Sequence, residues 1–127
     1  MSRFRYQIRR FLYFSEEAAR AEGLEPQQHQ MLLAIEASGE DGGPTVGYLA
    51  EQLFIRHHSA VGLLDRLEER GLVERTRGLE DRRQVRVRMT AAGSDKLNRL
   101  SRQHREELRK SAPELVEALR AVVEHRD

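Results

Sequence analysis

The hydrophobic period of this chain changes at Gly71, and that change restricts the possible folds more than any other feature of the sequence. Before it, HHSAVGLLDRLEERG sets Ala60, Val61, Leu64 and Leu67 along one stripe at helical spacing. The opposite side carries His58, Ser59, Gly62, Asp65, Arg66 and Glu69. After it, Gln84 to Met89 alternates, with Val85, Val87 and Met89 on one face and Gln84, Arg86 and Arg88 on the other, as in a half-buried strand. Upstream of both, TVGYLAEQL is a short amphipathic helix capped by Thr45, with Val46, Leu49, Ala50 and Leu53 inward. Phe54-Ile55-Arg56 follows as a tight turn. Thr45 to Gly93 is therefore predicted as helix, turn, helix and hairpin.

The charge is as uneven as the period. Arg75 to Arg88 holds six arginines (Arg75, Arg77, Arg82, Arg83, Arg86, Arg88) against Glu80 and Asp81, in a chain whose net charge is only +1. Phe54 to Lys110 carries 15 basic and 9 acidic residues and the remainder 7 and 12, so a centre of +6 sits within flanks of −5. A concentrated basic patch is what phosphate neutralisation and counterion release require. A DNA-binding head is the function this order of elements and charge predicts.

The flanks read as helices. The first runs from a Ser2 cap to about Glu22 and ends at Gly23, with Phe4, Ile8, Phe11, Leu12 and Ser15 near one stripe and Arg5, Arg9, Arg10, Glu16 and Glu17 mostly off it. Tyr6, Tyr13 and Phe14 widen its apolar surface beyond one small neighbour, which suggests burial against a second protomer. Pro26 suits the first position of a second helix carrying Met31, Leu32, Leu33 and Ile35, and SGEDGGP ends it as a connector. Thr90 caps a long helix with Leu97, Leu100, His104 and Leu108 on one stripe. A last helix is expected to begin near Pro113, with Leu115, Val116, Leu119, Val122 and Val123 inward. The expectation is mainly α: six helices and one small β-hairpin in one domain over 1–127.

Composition excludes several chemistries. With no cysteine there is no disulfide framework, thiol sensor or cysteine metal site. No apolar run approaches the roughly 20 residues that span a bilayer, and MSRFRYQIRR has no apolar signal-peptide core, so a cytoplasmic protein without membrane association is expected. There is no glycine-rich phosphate loop, nucleophile motif or H-E-x-x-H, so no enzyme and no cofactor is expected.

The stretch from Gly23 to Gly93 resembles the MarR family of winged helix-turn-helix transcriptional regulators. Three segments carry the likeness: LLDRLEERGLVER at Leu63 to Arg75, DRRQVRVRMTAAG at Asp81 to Gly93, and Gly23 to Gln28, where a family helix commonly opens. The second matches the family's D-x-R-x-x-x-V-x-L-T-x-x-G wing, with Met89 in the leucine place. Two departures stand out. Arg56-His57-His58 precede Ser59 where the family usually has a serine or threonine near the start of its recognition helix, and Glu25 replaces the common threonine before the proline.

The resemblance implies a homodimer on a pseudo-palindromic operator, in the role of repressor, with residues 1–22 and 94–127 as dimerisation helices and 23–93 as the DNA-binding region. A recognition helix in the major groove would present His57, His58, Ser59, Gly62 and Arg66, with Arg56 just ahead of them. Arg77, Arg82 and Arg83 at the wing tip would press into a flanking minor groove. Asp81 would brace Arg83. The resemblance also implies a small phenolic or anionic effector, for which Tyr6, Arg10, Phe11, Tyr13 and His29 are candidates without a choice among them.

Alternatives remain open on the residues. A glycine inside a helix costs roughly 0.5–1 kcal/mol relative to alanine, so Gly62 marks close approach either of another surface or of a neighbouring helix. Arg66 serves either DNA or an ion pair along its own helix. The histidines His29, His57, His58, His104 and His125 would be the ligands of a metal-sensing regulator, although no pair has the i, i+4 spacing of two ligands on one helix. A winged-helix module that binds protein instead of DNA is the other rival.

Overall fold

The structure, a computed structural model, describes residues 1–77 and 84–126. Its elements are α1 (Ser2–Ala21), α2 (Pro26–Ser38), α3 (Val46–Leu53), α4 (His57–Glu69), β1 (Val73–Arg77), β2 (Val85–Met89) and α5 (Ala91–Val123). They form two compact units, Met1–Leu24 with Arg99–Asp127, and Glu25–Asn98.

In the second unit, local chemistry sets the boundaries. Glu25 and Gln28 form a reciprocal capping box at the start of α2, with Pro26 in the first turn, where its missing N–H leaves no bond unmade. The Tyr48 N–H donates to Thr45 Oγ1 at 3.1 Å, and the Gly93 N–H donates to Thr90 Oγ1 at 3.1 Å. Thr45 also bridges to Arg86, and the Val87 N–H donates to the Pro44 carbonyl, so the chain entering α3 lies along β2. β1 and β2 are antiparallel, in register from Val73 opposite Met89 to Arg77 opposite Val85.

The core of this unit holds Met31, Leu32, Leu49, Leu64, Leu67 and Val87, each wholly shielded from solvent. Burying one such leucine stabilises by about 1.5–3 kcal/mol. On α4 the buried set is Ala60, Leu63, Leu64 and Leu67. Leu63 therefore belongs to the core, whereas Val61, expected there, is only half-buried. Gly43, at φ +93, lies so close to the Val87 carbonyl that a Cβ would collide with it, which fixes the connector against β2.

The first unit corrects several expectations. The six predicted helices are five among the described residues, because α5 continues through Pro113 to Val123. Proline inside a helix gives up a hydrogen bond and costs about 3 kcal/mol or more. The buried stripe Leu100, Ser111, Ala118 and Ala121 stays in helical phase across it, so packing overrides the local penalty. The side expected to face inward is not the buried one: Val116, Leu119 and Val123 are exposed, and Ala118 and Ala121 are buried instead. On α1, Ser15 of the expected stripe is buried with Ala18 and Ala19, whereas Ile8 and Leu12 of that stripe are exposed, as are Tyr6 and Tyr13 beside it. The helix starts at Ser2 itself, with Met1 in the cap position. His104, on the expected stripe, is satisfied within this unit: its Nδ1 lies 2.6 Å from the Leu100 carbonyl and its Nε2 2.8 Å from Ser15 Oγ, with Phe11 and Phe14 edge-on.

Candidate nucleic-acid interface

Helix α4 presents one face to the core and the other to solvent. Arg56 is its N-cap residue and supplies its carbonyl to the Ala60 N–H, but no side chain caps the helix. His57, His58 and Ser59 form an exposed first turn, and Arg66 is exposed two turns further on. Among the described residues, the side chains of Arg56, His57, His58, Ser59 and Arg66 make no hydrogen bond or ion pair. Arg66 is thus not held by Glu69. At Gly62 an added Cβ would meet only the Arg66 guanidinium, at 3.8 Å, so no neighbouring helix of this unit occupies the space above it. The result is a cationic helix face with a gap at its centre, open to whatever binds.

Two arginines of the hairpin, Arg75 and Arg86, are tied into the fold. Arg75 is turned back onto α4: its Nη2 lies 2.6 Å from Asp65 Oδ1 and 2.8 Å from Glu68 Oε1, and its backbone N–H also donates to Glu68. Its side chain is only 21% exposed. The hydrogen bonds from Arg75 hold the Glu68 carboxyl below its ordinary pKa, and those to Glu68 hold the Arg75 guanidinium above its own. Arg86 donates to Glu40 Oε2 at 2.8 Å and to the Gly43 carbonyl at 3.0 Å, tying β2 to the connector. These two arginines are fold contacts, and nothing in the sequence pattern separates them from the others. Arg77 and Arg88 are exposed, Arg77 at the end of β1 that leads toward the hairpin tip. Asp81, Arg82 and Arg83, the remaining expected wing residues, lie outside the described residues.

Sequence reasoning passed over Phe54. It ends α3 in the left-handed region at φ +55 and is 94% exposed, beside Arg56 and the first turn of α4. Among the described residues no group of three or more His, Asp or Glu side chains is arranged to hold a metal ion. No helix among them is long and apolar enough to cross a membrane.

Two helices joined by a tight turn, followed by an antiparallel hairpin packed on the second of them, define a winged helix-turn-helix. The chain belongs to the MarR family of transcriptional regulators, whose sequence model matches residues 22–84, about half of the chain. Comparison with curated protein sequences returns no match. Among solved structures, MepR, a transcription regulator of the Staphylococcus aureus multidrug efflux pump MepA, is similar with a TM-score of 0.81 at 18% identity, covering 97% of this chain and 92% of that one. AbsC, a MarR family transcriptional regulator from Streptomyces coelicolor, gives 0.74 at 21% identity over 94% and 86%. A mutant of E. coli MarR complexed with operator DNA gives 0.73 at 22% identity over 95% and 88%. At such identities these likenesses establish the fold alone.

Proposed function

We propose that this chain is a sequence-specific DNA-binding repressor that acts as a homodimer on a pseudo-palindromic operator. α4 lies in the major groove and the wing, through Arg77, Arg82 and Arg83, in the adjacent minor groove. The observation that carries this reading is the α4 face itself: Arg56, His57, His58, Ser59 and Arg66 are exposed and make no polar contact within the described residues, around the gap at Gly62. Arg66 suits a guanine edge or a phosphate, and Ser59 and the histidines suit weaker base contacts. Structures of similar fold support the assignment, since one, of an E. coli MarR mutant, is complexed with operator DNA and another, of a MepR mutant, is bound to an oligodeoxyribonucleotide.

Homodimerisation draws support from the first unit. Tyr6, Leu12 and Tyr13 on α1 and Val116, Leu119 and Val123 on α5 are apolar and exposed, Tyr13 and Val123 each at 69%. Exposed apolar side chains in such number mark a surface that a partner covers. Residues 1–22 and 94–127 serve as the dimerisation part and 23–93 as the DNA-binding part. Release by a small phenolic or anionic effector completes the reading, and a DNA regulator of this kind works in the cytoplasm.

Selection of bound duplexes from a random pool by the purified chain tests it. The expected result is a consensus with two inverted half-sites about one helical turn apart. Recovery of no enriched sequence would contradict the proposal.

A further inference from the structure

We propose that Phe54 is a base-reading residue whose ring packs on the 5-methyl group of a thymine at the edge of each half-site. The inference rests on the DNA-binding reading above and deepens it. Phe54 occupies the left-handed region, its N–H donating to the Glu51 carbonyl and the next N–H, of Ile55, to the Ala50 carbonyl. The backbone geometry serves the turn between α3 and α4; the side chain serves nothing in this unit, being 94% exposed.

The other helix ends show what the fold alone would ask for. Where α1, α2 and α4 end, the left-handed position is Gly23, Gly39 or Gly71. His125 takes it beyond α5, and histidine is among the residues enriched there, whereas a bulky aromatic is an outlier. Glycine at 54 would relieve the backbone and remove an exposed ring. A residue that strains the turn and leaves its whole apolar surface in water is accounted for by something outside the chain.

The surroundings indicate what that is. Phe54 stands directly ahead of Arg56, His57 and His58, all exposed, with the exposed Glu51 and Gln52 on the preceding turn. In a helix-turn-helix the start of the second helix meets the base edges. A phenyl ring has no hydrogen-bonding atom, and the apolar group on the major-groove edge of a base pair is the thymine methyl. Arg56, exposed two residues after the ring, fits a neighbouring phosphate.

The test uses a duplex selected by the full chain, with each thymine replaced in turn by uracil, which removes only the methyl group. Wild type, Phe54→Ala and Phe54→Asn are titrated against each duplex. At one thymine per half-site, uracil is expected to lower wild-type affinity about 4-fold, and on the order of 10-fold when both half-sites are changed. Both variants should bind the thymine duplex as weakly as wild type binds the uracil one, and lose nothing further with uracil. Asparagine tolerates the left-handed backbone, so Phe54→Asn should melt no lower than wild type and report on the contact rather than on folding. Variants that bind the thymine duplex as tightly as wild type would overturn the inference, as would uracil costs that are equal with and without Phe54 at every position. A wild type that selects no duplex would instead bring down the DNA-binding reading itself.

Discussion

Arg75 and Arg66 stand on the same cationic module and have opposite fates. Arg75, on β1, spends its guanidinium on Asp65 and Glu68 and joins the hairpin to α4. Arg66, next to Asp65 in sequence, reaches into solvent beside Gly62. One arginine is spent on ion pairs within the unit, and the other is left to act on what the helix meets. A surplus of positive charge in a sequence therefore overstates the charge available for binding, because part of it is consumed in holding the binding surface together.

Substitutions can break that division directly. The largest effect is expected on DNA affinity: Arg66→Ala and Arg83→Ala should each weaken operator binding by about 1–3 kcal/mol with no change in melting temperature, and Asp81→Ala should match Arg83→Ala. Titration at fixed salt together with a melting curve checks both halves of the statement. Arg75→Ala should show the reverse order of effects, with stability falling by about 1 kcal/mol. That figure is kept low because Asp65 and Glu68 are half exposed and solvent screens the pair. Denaturant titration reads it.

The smallest effect is on acid stability. Glu68 has its folded-state pKa below the ordinary 4.5, so its contribution is fully present above pH 4.5 and is lost as the pH falls from there through the lowered value. Glu68→Gln should flatten that part of the curve and leave stability near pH 7 lower by less than about 1 kcal/mol, which unfolding titrations between pH 3 and about 7 would show.

Much of this fold is legible in the sequence because it is written in local chemistry. Thr45 and Thr90 cap the helices they were expected to cap, Pro26 opens α2, Gly71 closes α4, and Val85, Val87 and Met89 alternate as a strand. What failed depended on long-range packing. Pro113 reads as a helix boundary until the stripe from Leu100 to Ala121 is seen to run past it. Periodicity marks Leu119 as inward, in phase with Val116 and Val123, and only the packing of the first unit leaves it outside and buries Ala121 instead. In the candidate site, the exposed face from Arg56 to Arg66 was legible from the amphipathic pattern. The internal roles of Arg75 and Arg86 were not, since their partners Glu68 and Glu40 lie on other elements. Phe54 reads as an ordinary turn residue, and its φ of +55 and its exposure become visible only in three dimensions.

The central claim is that the exposed cations bind duplex DNA while the tethered ones do not. The salt dependence of affinity for a selected duplex, measured for wild type, Arg66→Ala and Arg75→Ala, tests it most directly. Wild-type affinity should fall linearly on a log–log scale as salt rises. Arg66→Ala should lower the magnitude of that slope by about 1 if the residue meets a phosphate, or leave the slope and relax preference at one base if it meets a guanine. Arg75→Ala should leave both slope and preference as in wild type. Salt-insensitive binding by wild type, or a loss of slope confined to Arg75→Ala, would contradict the account.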